Sequence, residues 1–302
     1  MPPTAAPVAF PLGAPTFSGN QLTVDTALKQ PTRITRRIAD LTLQNFIVSR
    51  IFAVGGEVTG GAVVYDQATL NELYLDRPVE RVAPGDEFPI VTSARQAPKV
   101  AEVEKYGGKI FITDEARDRN DSVHFNNQVT QLANTIVRKT NTRAVAELEA
   151  AIAALGGAGT FVGHSWSAYQ PNGTSPTAPA GTPGADLLKA QFVADTEELG
   201  VTYDLLIVNP AEALSLATGY GDRLQAMLDS AGIREVFPSN RVAAGTAYVV
   251  ARGQVGGLRI EKPLGTETWR EPKTERTWVQ SSVRPVMYVT NPFSIKKLTG
   301  LS

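Results

Sequence analysis

One helical stripe constrains this chain more than any other feature. Phe125, Val129, Leu132, Ile136, Val137, Ala144, Leu148, Ile152 and Leu155 keep helical spacing from Ser122 until Gly156-Gly157 stops them. At ~1.5 Å per residue that rod is roughly 50 Å long, well beyond an average globular helix. A coiled coil is the rival reading, but the apolar steps break down around Lys139–Arg143. The spacing therefore favours a helix lying along a sheet.

The sequence before the rod does not look like a compact domain. Residues 1–32 hold six prolines, which disfavour helix and predict an extended arm or a disordered tail. Ile34, Ile38, Leu41, Ile47 and Ile51 then recur at helical spacing, predicting one or two short amphipathic helices that end near Gly55-Gly56. Arg33, Arg36, Arg37 and Arg50 lie on the other side. They read either as a contact for nucleic acid or acidic neighbours, or as a solvated face. Residues 62–110 read as a long two-stranded excursion, broken by Pro78, Pro84-Gly85 and Pro89. An isolated hairpin is marginal in water, so something must cover this one. Lys105 to Glu115 reads as a returning strand that turns into helix at a Thr113 or Asp114 cap.

Beyond the rod, residues 156–185 read as a loop with room for one short hairpin, and as a boundary. Asp186–Leu199 reads as a helix and Asp204–Val208 as a buried strand. Asn209-Pro210 reads as a cap and first turn of the next helix. Strands follow at Ala247–Val250 and Leu258–Ile260 around a Gly253–Gly257 turn, then at Arg276–Arg284 and Val286–Thr290 on either side of Pro285. A short last strand is expected at Ser294–Leu298.

Composition removes several kinds of chemistry. The chain of 302 residues has 29 basic and 30 acidic side chains, so no global basic field drives tight DNA binding. It has no cysteine and two histidines, His124 and His164, without metal-ligand spacing. Cofactors and metals are expected to be absent. No secretory leader and no membrane-length apolar run is read, so a soluble protein made in a cytoplasm is expected. Gly55–Gly61 lacks the Lys-Ser/Thr of a phosphate loop and reads as a flexible hinge. Asp114, Glu115 and Asp118 suit a helix start rather than a metal. Asn172-Gly173-Thr174 matches a glycosylation acceptor, but no secretory signal accompanies it. No nucleophile–base pair emerges, so no enzymatic activity is expected.

Three stretches carry a family resemblance: Glu104-Lys105-Tyr106-Gly107-Gly108-Lys109-Ile110-Phe111-Ile112-Thr113-Asp114-Glu115, Asp204–Pro210, and Arg284–Pro292. In this element order they resemble major capsid proteins of tailed bacteriophages, the Hong Kong 97-type fold. The resemblance implies an α+β fold with an N-terminal arm (1–54), an extended β-hairpin loop (55–110), a peripheral domain with a spine helix (111–185), an axial domain (186–257) and strands returning to the peripheral domain (258–302). It implies pentamers and hexamers closing into an icosahedral virion shell around double-stranded DNA, without sequence-specific binding and without a membrane. Scaffold, portal and decoration proteins are the further partners it implies. Tyr65, Tyr74, Arg77, Glu80, Arg81 and Phe88 are the inter-subunit contacts expected in the loop, and Arg33, Arg36 and Arg37 those expected towards nucleic acid or a neighbour.

Some members of that family join a lysine of the loop to an asparagine. Here no lysine occurs between Lys29 and Lys99, so non-covalent overlap is expected. The alternatives are an encapsulin-like nanocompartment shell, against which the proline-rich arm speaks, a tail or head-completion protein, and an enzyme built on a small α/β unit.

Overall fold

The computed structural model describes residues 17–18, 21–22, 24–43, 47–69, 79, 81–92, 97–198 and 200–302. The fold is mixed α+β, organised by two sheets and the long helix that serves both. The four-stranded sheet holds β3 (Ala53–Glu57), β6 (Tyr106–Thr113), β11 (Gly256–Glu271) and β12 (Arg276–Val289) in the order β3-β11-β12-β6. The five-stranded sheet holds β7 (Thr160–Val162), β8 (Leu205–Val208), β9 (Glu235–Pro238), β10 (Thr246–Val250) and β13 (Ile295–Thr299) in the order β7-β13-β10-β8-β9. Two small pairs complete the strands: β1 (Phe17–Ser18) with β2 (Gln21–Leu22), and β4 (Ala62–Tyr65) with β5 (Lys99–Glu102).

The long helix, α5 (Ser122–Ala154), follows the short α1 (Val24–Leu28), α2 (Pro31–Leu43), α3 (Val48–Ile51) and α4 (Asp114–Asp118). Asp121 caps it, its Oδ1 accepting from the His124 N–H at 3.0 Å. Thr113 caps α4 in the same way, as its place at the end of the Ile-Thr-Asp-Glu block predicts.

Two cores explain why the apolar stripe of α5 changes register. Its first half, through Phe125, Val129, Leu132 and Ala133, packs with Ile34 and Ile38 of α2 and with Ile112 and Val279 of the four-stranded sheet. Its second half, through Ala144, Leu148 and Ile152, packs on Leu205, Ile207, Tyr248 and Ile295 of the five-stranded sheet. The break at Lys139–Arg143 falls between them. There the buried Asn141 accepts from the Ile47 N–H at 3.2 Å, and the buried Thr140 donates back to the Ile136 carbonyl. A polar pair therefore stands where a coiled coil would need apolar residues, and the helix lies along sheets as expected.

The five-stranded sheet is covered on both faces. Leu205 and Ile207 face α5, while Leu206 and Val208 face α6 (Pro183–Thr196), α7 (Pro210–Tyr220) and α8 (Leu224–Ser230). Two buried faces are why this strand reads as an unbroken apolar run. Asn209 caps α7 as read from the sequence.

Several expectations are corrected. Gly55-Gly56 are strand residues of β3, paired parallel to β11, so the helical segment ends at Ile51. The loop of residues 156–185 contains one strand, β7, parallel to β13, rather than a hairpin. The strands read on either side of the Gly253–Gly257 turn are present, and the turn passes from one sheet to the other: β10 belongs to the five-stranded sheet and β11 to the four-stranded one. Pro285 does not break β12; it pairs with Ile260, beside a bulge in β11 and past the Val283↔Tyr106 end of β6. No ladder hydrogen bond is demanded of it there. Among the described residues, the hairpin pairing of the 62–110 excursion is confined to Ala62–Tyr65 with Lys99–Glu102, and Tyr106–Ile110 pair with β12 instead; prolines at 84, 89 and 98 withhold backbone donors between the hairpin strands.

Candidate assembly interface

The hairpin excursion is rooted firmly. Val63 packs on Val58, Val286 and Tyr288, and the Tyr65 ring lies 5.1 Å from that of Tyr288. The main chain is tied down as well: the Ala68 N–H donates to the Thr290 carbonyl at 2.7 Å and the Glu104 N–H to the Pro285 carbonyl at 3.1 Å. From α5, Arg143 holds Glu104 with its Nε at 2.7 Å and also reaches Glu147. Burial, and then the charge of Glu147, push the Tyr65 phenol above its usual pKa. Tyr65, expected at an inter-subunit contact, is thus placed in the hairpin root against its own chain.

Beyond the root the described residues of the excursion have little cover. Val79, Phe88 and Ile90 are 85%, 79% and 81% exposed, and Arg81 is exposed among them. On the hairpin strands Val64 and Val100 also face solvent. Large apolar side chains exposed in this way beside charged residues make the excursion a candidate interaction surface. Tyr74, Arg77 and Glu80 lie outside the described residues.

The arginines divide. On α2, Ile34 and Ile38 are buried, which leaves Arg36 exposed and Arg33 and Arg37 half-buried. Arg50 is elsewhere: it pairs with Glu235 and its guanidinium lies 4.8 Å from the Phe237 ring centroid. Arg252 holds the same Glu235 at 2.8 Å and Asp204 at 2.8 Å. This network ties α3 to the β9 end of the five-stranded sheet, so Arg50 is a scaffold residue and not part of a basic surface.

The polar residues that suggest chemistry have structural partners. Asp114 accepts from Arg270 Nε at 3.1 Å and lies beside Arg117, and these cations hold its carboxyl below the usual range. Glu115 is held low too, first by its own backbone N–H and then by the Thr113 hydroxyl. Buried Asp186 accepts from the His164 backbone N–H at 2.9 Å, His164 Nδ1 at 2.8 Å and Trp166 Nε1 at 3.0 Å, anchoring the loop ahead of α6. That pairing has no local sequence signal, since 22 residues separate the partners. Among the described residues no cluster of metal-ligating side chains occurs, and no helix is long and apolar enough to cross a membrane.

A second exposed surface went unread in the sequence. The four-stranded sheet turns Ile112 and Val279 towards α5 and turns its other face outward. On that face the register places Trp269, Trp278 and Phe111 side by side across three strands. The Trp269 and Trp278 rings stack at 6.4 Å, and Phe111 meets Trp278 edge-on at 5.4 Å. Lys109 Nζ lies 4.4 Å over Trp278, and the Arg276 guanidinium 4.5 Å over Phe111. The period-two burial of Thr277, Val279 and Ser281 against Trp278 and Gln280 is the signal that marks this face.

The comparisons with known proteins agree with this architecture. A family model described as Phage capsid protein matches residues 96–298, about two thirds of the chain. No curated protein matches the sequence. Among solved structures, a virus-like particle from Pyrococcus furiosus is similar at 14% identity and a TM-score of 0.58, covering 86% of this chain and 97% of that one. A chain of Mycobacterium phage Bobi is similar at 11% identity and 0.56, covering 86% and 89%. The capsid of cyanophage P-SCSP1u is similar at 16% identity and 0.50, covering 85% and 87%. At these identities the structures speak for the fold alone, which is Hong Kong 97-like, while the family model speaks for the family. With a mixed α+β body, a long helix shared by two sheets and an uncovered hairpin, the chain belongs to the phage capsid protein family and is a major capsid protein that forms the viral shell.

Proposed function

We propose that the subunits assemble as pentamers and hexamers into an icosahedral shell around double-stranded DNA, joined by non-covalent overlap of arms and hairpins. The observation that carries this reading is the hairpin: a rooted β4–β5 base below a stretch whose Val79, Phe88 and Ile90 find little cover in their own chain. Rings of five and six need head-to-tail contacts between two different patches, and a projecting hairpin supplies one of them. Many such contacts made together give a stable shell from individually weak interfaces.

Within this reading residues 1–54 act as the arm and 55–110 as the extended loop. Residues 111–185 form the peripheral unit with α5 as its spine, residues 186–257 the axial unit, and residues 258–302 the return. The axial sheet also takes β7 and β13, so the two units share strands. Tyr65, Tyr74, Arg77, Glu80, Arg81 and Phe88 meet the neighbouring subunit, Tyr65 from its place in the hairpin root. Arg33, Arg36 and Arg37 face DNA or a neighbour, and the balanced overall charge suits a shell that encloses DNA without gripping it. Scaffold, portal and decoration proteins are the remaining partners.

Electron microscopy of the purified chain, alone and with co-expressed virion proteins, tests this reading. Closed icosahedral shells that run as single subunits on a denaturing gel are expected. A persistent monomer, or a single ring or tube, would contradict the assembly; a covalent ladder would contradict non-covalent overlap.

A further inference from the structure

We infer that Asn172 is a site of spontaneous modification, where the Gly173 nitrogen attacks the side-chain amide and turns the asparagine into isoaspartate and aspartate. The Asn172-Gly173-Thr174 motif has no part in the shell reading above, and the fold gives it a chemistry of its own. The chain closes a neck between Gln170 and Thr177. There the Thr177 N–H donates to the Gln170 carbonyl and the Gln170 N–H to the Thr177 hydroxyl, both at 2.9 Å. Residues 171–176 project beyond that neck, and every one of them is exposed.

The reaction needs a free side-chain amide, an uncommitted nitrogen on the next residue, and water. Gly173 has a φ of +129°, which glycine adopts without strain, and nothing stands within 4 Å of the place a Cβ would take. Among the described residues, neither its N–H nor the Asn172 amide finds a hydrogen-bond partner. Once deprotonated, the Gly173 nitrogen forms a bond to Asn172 Cγ while the Cγ–Nδ2 bond breaks, and ammonia leaves with the proton. Water then opens the cyclic imide at either carbonyl. Opening at the backbone carbonyl gives isoaspartate, and opening at Cγ gives aspartate. One water is consumed, one ammonia is released and one negative charge is added, with no oxidant or cofactor. No charged side chain occurs from Ser165 to Ala185, so the new carboxylate is the first charge of that stretch.

The other asparagines among the described residues lack this freedom. Asn126, Asn127, Asn134 and Asn141 lie within α5, where the following N–H is held in the helix ladder. The N–H after Asn120 donates to the Ala116 carbonyl at 3.0 Å, and the one after Asn240 to the Ser239 hydroxyl at 3.3 Å. Asn209 and Asn291 precede prolines, which have no N–H. Folding therefore protects these positions and leaves Asn172 as open as it is in an unfolded chain.

The test is incubation of the purified full chain in mildly alkaline buffer made with heavy-oxygen water, beside a sample unfolded in urea, followed by peptide mapping with mass spectrometry. Heavy oxygen is expected at residue 172 in both samples at rates within severalfold of each other, with isoaspartate among the products. Asn126, Asn127 and Asn134 should take up label only in urea. An unlabelled residue 172 in the folded chain, or one slowed by folding as strongly as the helical asparagines, would overturn the site. A product that is aspartate alone would overturn attack by the Gly173 nitrogen. Isoelectric focusing of the aged chain should show an acidic shift that Asn172→Gln removes; a shift that persists in Asn172→Gln would place the modification elsewhere and overturn the assignment.

Discussion

Two hairpins of this molecule have opposite fates. β11 and β12 run 16 and 14 residues, stay paired almost throughout, and are flanked by β3 and β6. Their inner face packs against α2 and α5, with Val279 fully buried. The β4–β5 hairpin pairs over four residues, is rooted by one small core, and carries Phe88 and Ile90 far outside it. Length is therefore not what makes a hairpin self-sufficient. A second layer is, and among the described residues the chain provides one along β11–β12 but only at the base of β4–β5. Under the proposed overlap, the other hairpin takes its second layer from a neighbouring subunit.

The contrast breaks most visibly if charge is placed in the layered hairpin. Val279→Asp leaves an unpaired carboxylate between sheet and α5, so a loss of roughly 3–5 kcal/mol is expected in denaturant unfolding of the isolated subunit. The corresponding change in the other hairpin should separate stability from assembly. Phe88→Asp is expected to move subunit stability by no more than about 0.5 kcal/mol, as exposed substitutions do, while particle yield by light scattering collapses. If Phe88→Asp unfolds the subunit, the hairpin has internal cover and the contrast fails. The root should lie between these extremes. Tyr65→Ala removes a half-buried ring packed at a tilt against Tyr288, and a cost of about 1–2 kcal/mol is expected in thermal unfolding.

The smallest effect is expected at the turn end of the layered hairpin. Asp114, Glu115 and Glu271 all sit below the usual carboxylate range there, Asp114 chiefly through the Arg270 hydrogen bond and Glu271 chiefly through Trp278. Folding favours their ionised forms, so the support they give is present above the ordinary carboxylate range and is lost as pH falls through their depressed values. Tryptophan fluorescence should report local loosening in acid, and Glu271→Gln should remove the part of that transition that Trp278 senses. An identical acid profile in Glu271→Gln would place the loosening elsewhere.

Much of this was legible in the sequence wherever a residue's role is local. The caps at Thr113, Asp121 and Asn209, the buried run at Leu205–Val208 and the long helix follow from short-range pattern alone. Roles set by distant partners were not. The extent of β11 was missed because residues 261–271 mix charged, proline and glycine positions and gain their order from β12 opposite. Arg50 looked like a companion of Arg33, Arg36 and Arg37 until Glu235 and Phe237 arrived from another sheet. Tyr65 and Phe88 looked equivalent in one loop, and only the packing of Val58, Val286 and Tyr288 tells root from tip.

The central claim, that the β4–β5 hairpin is completed by a neighbouring subunit, is tested most directly by an electron cryomicroscopy map of the assembled shell. The account predicts Phe88 and Ile90 buried against an adjacent subunit. A hairpin folded onto its own subunit, or standing free in solvent in the closed shell, would contradict it.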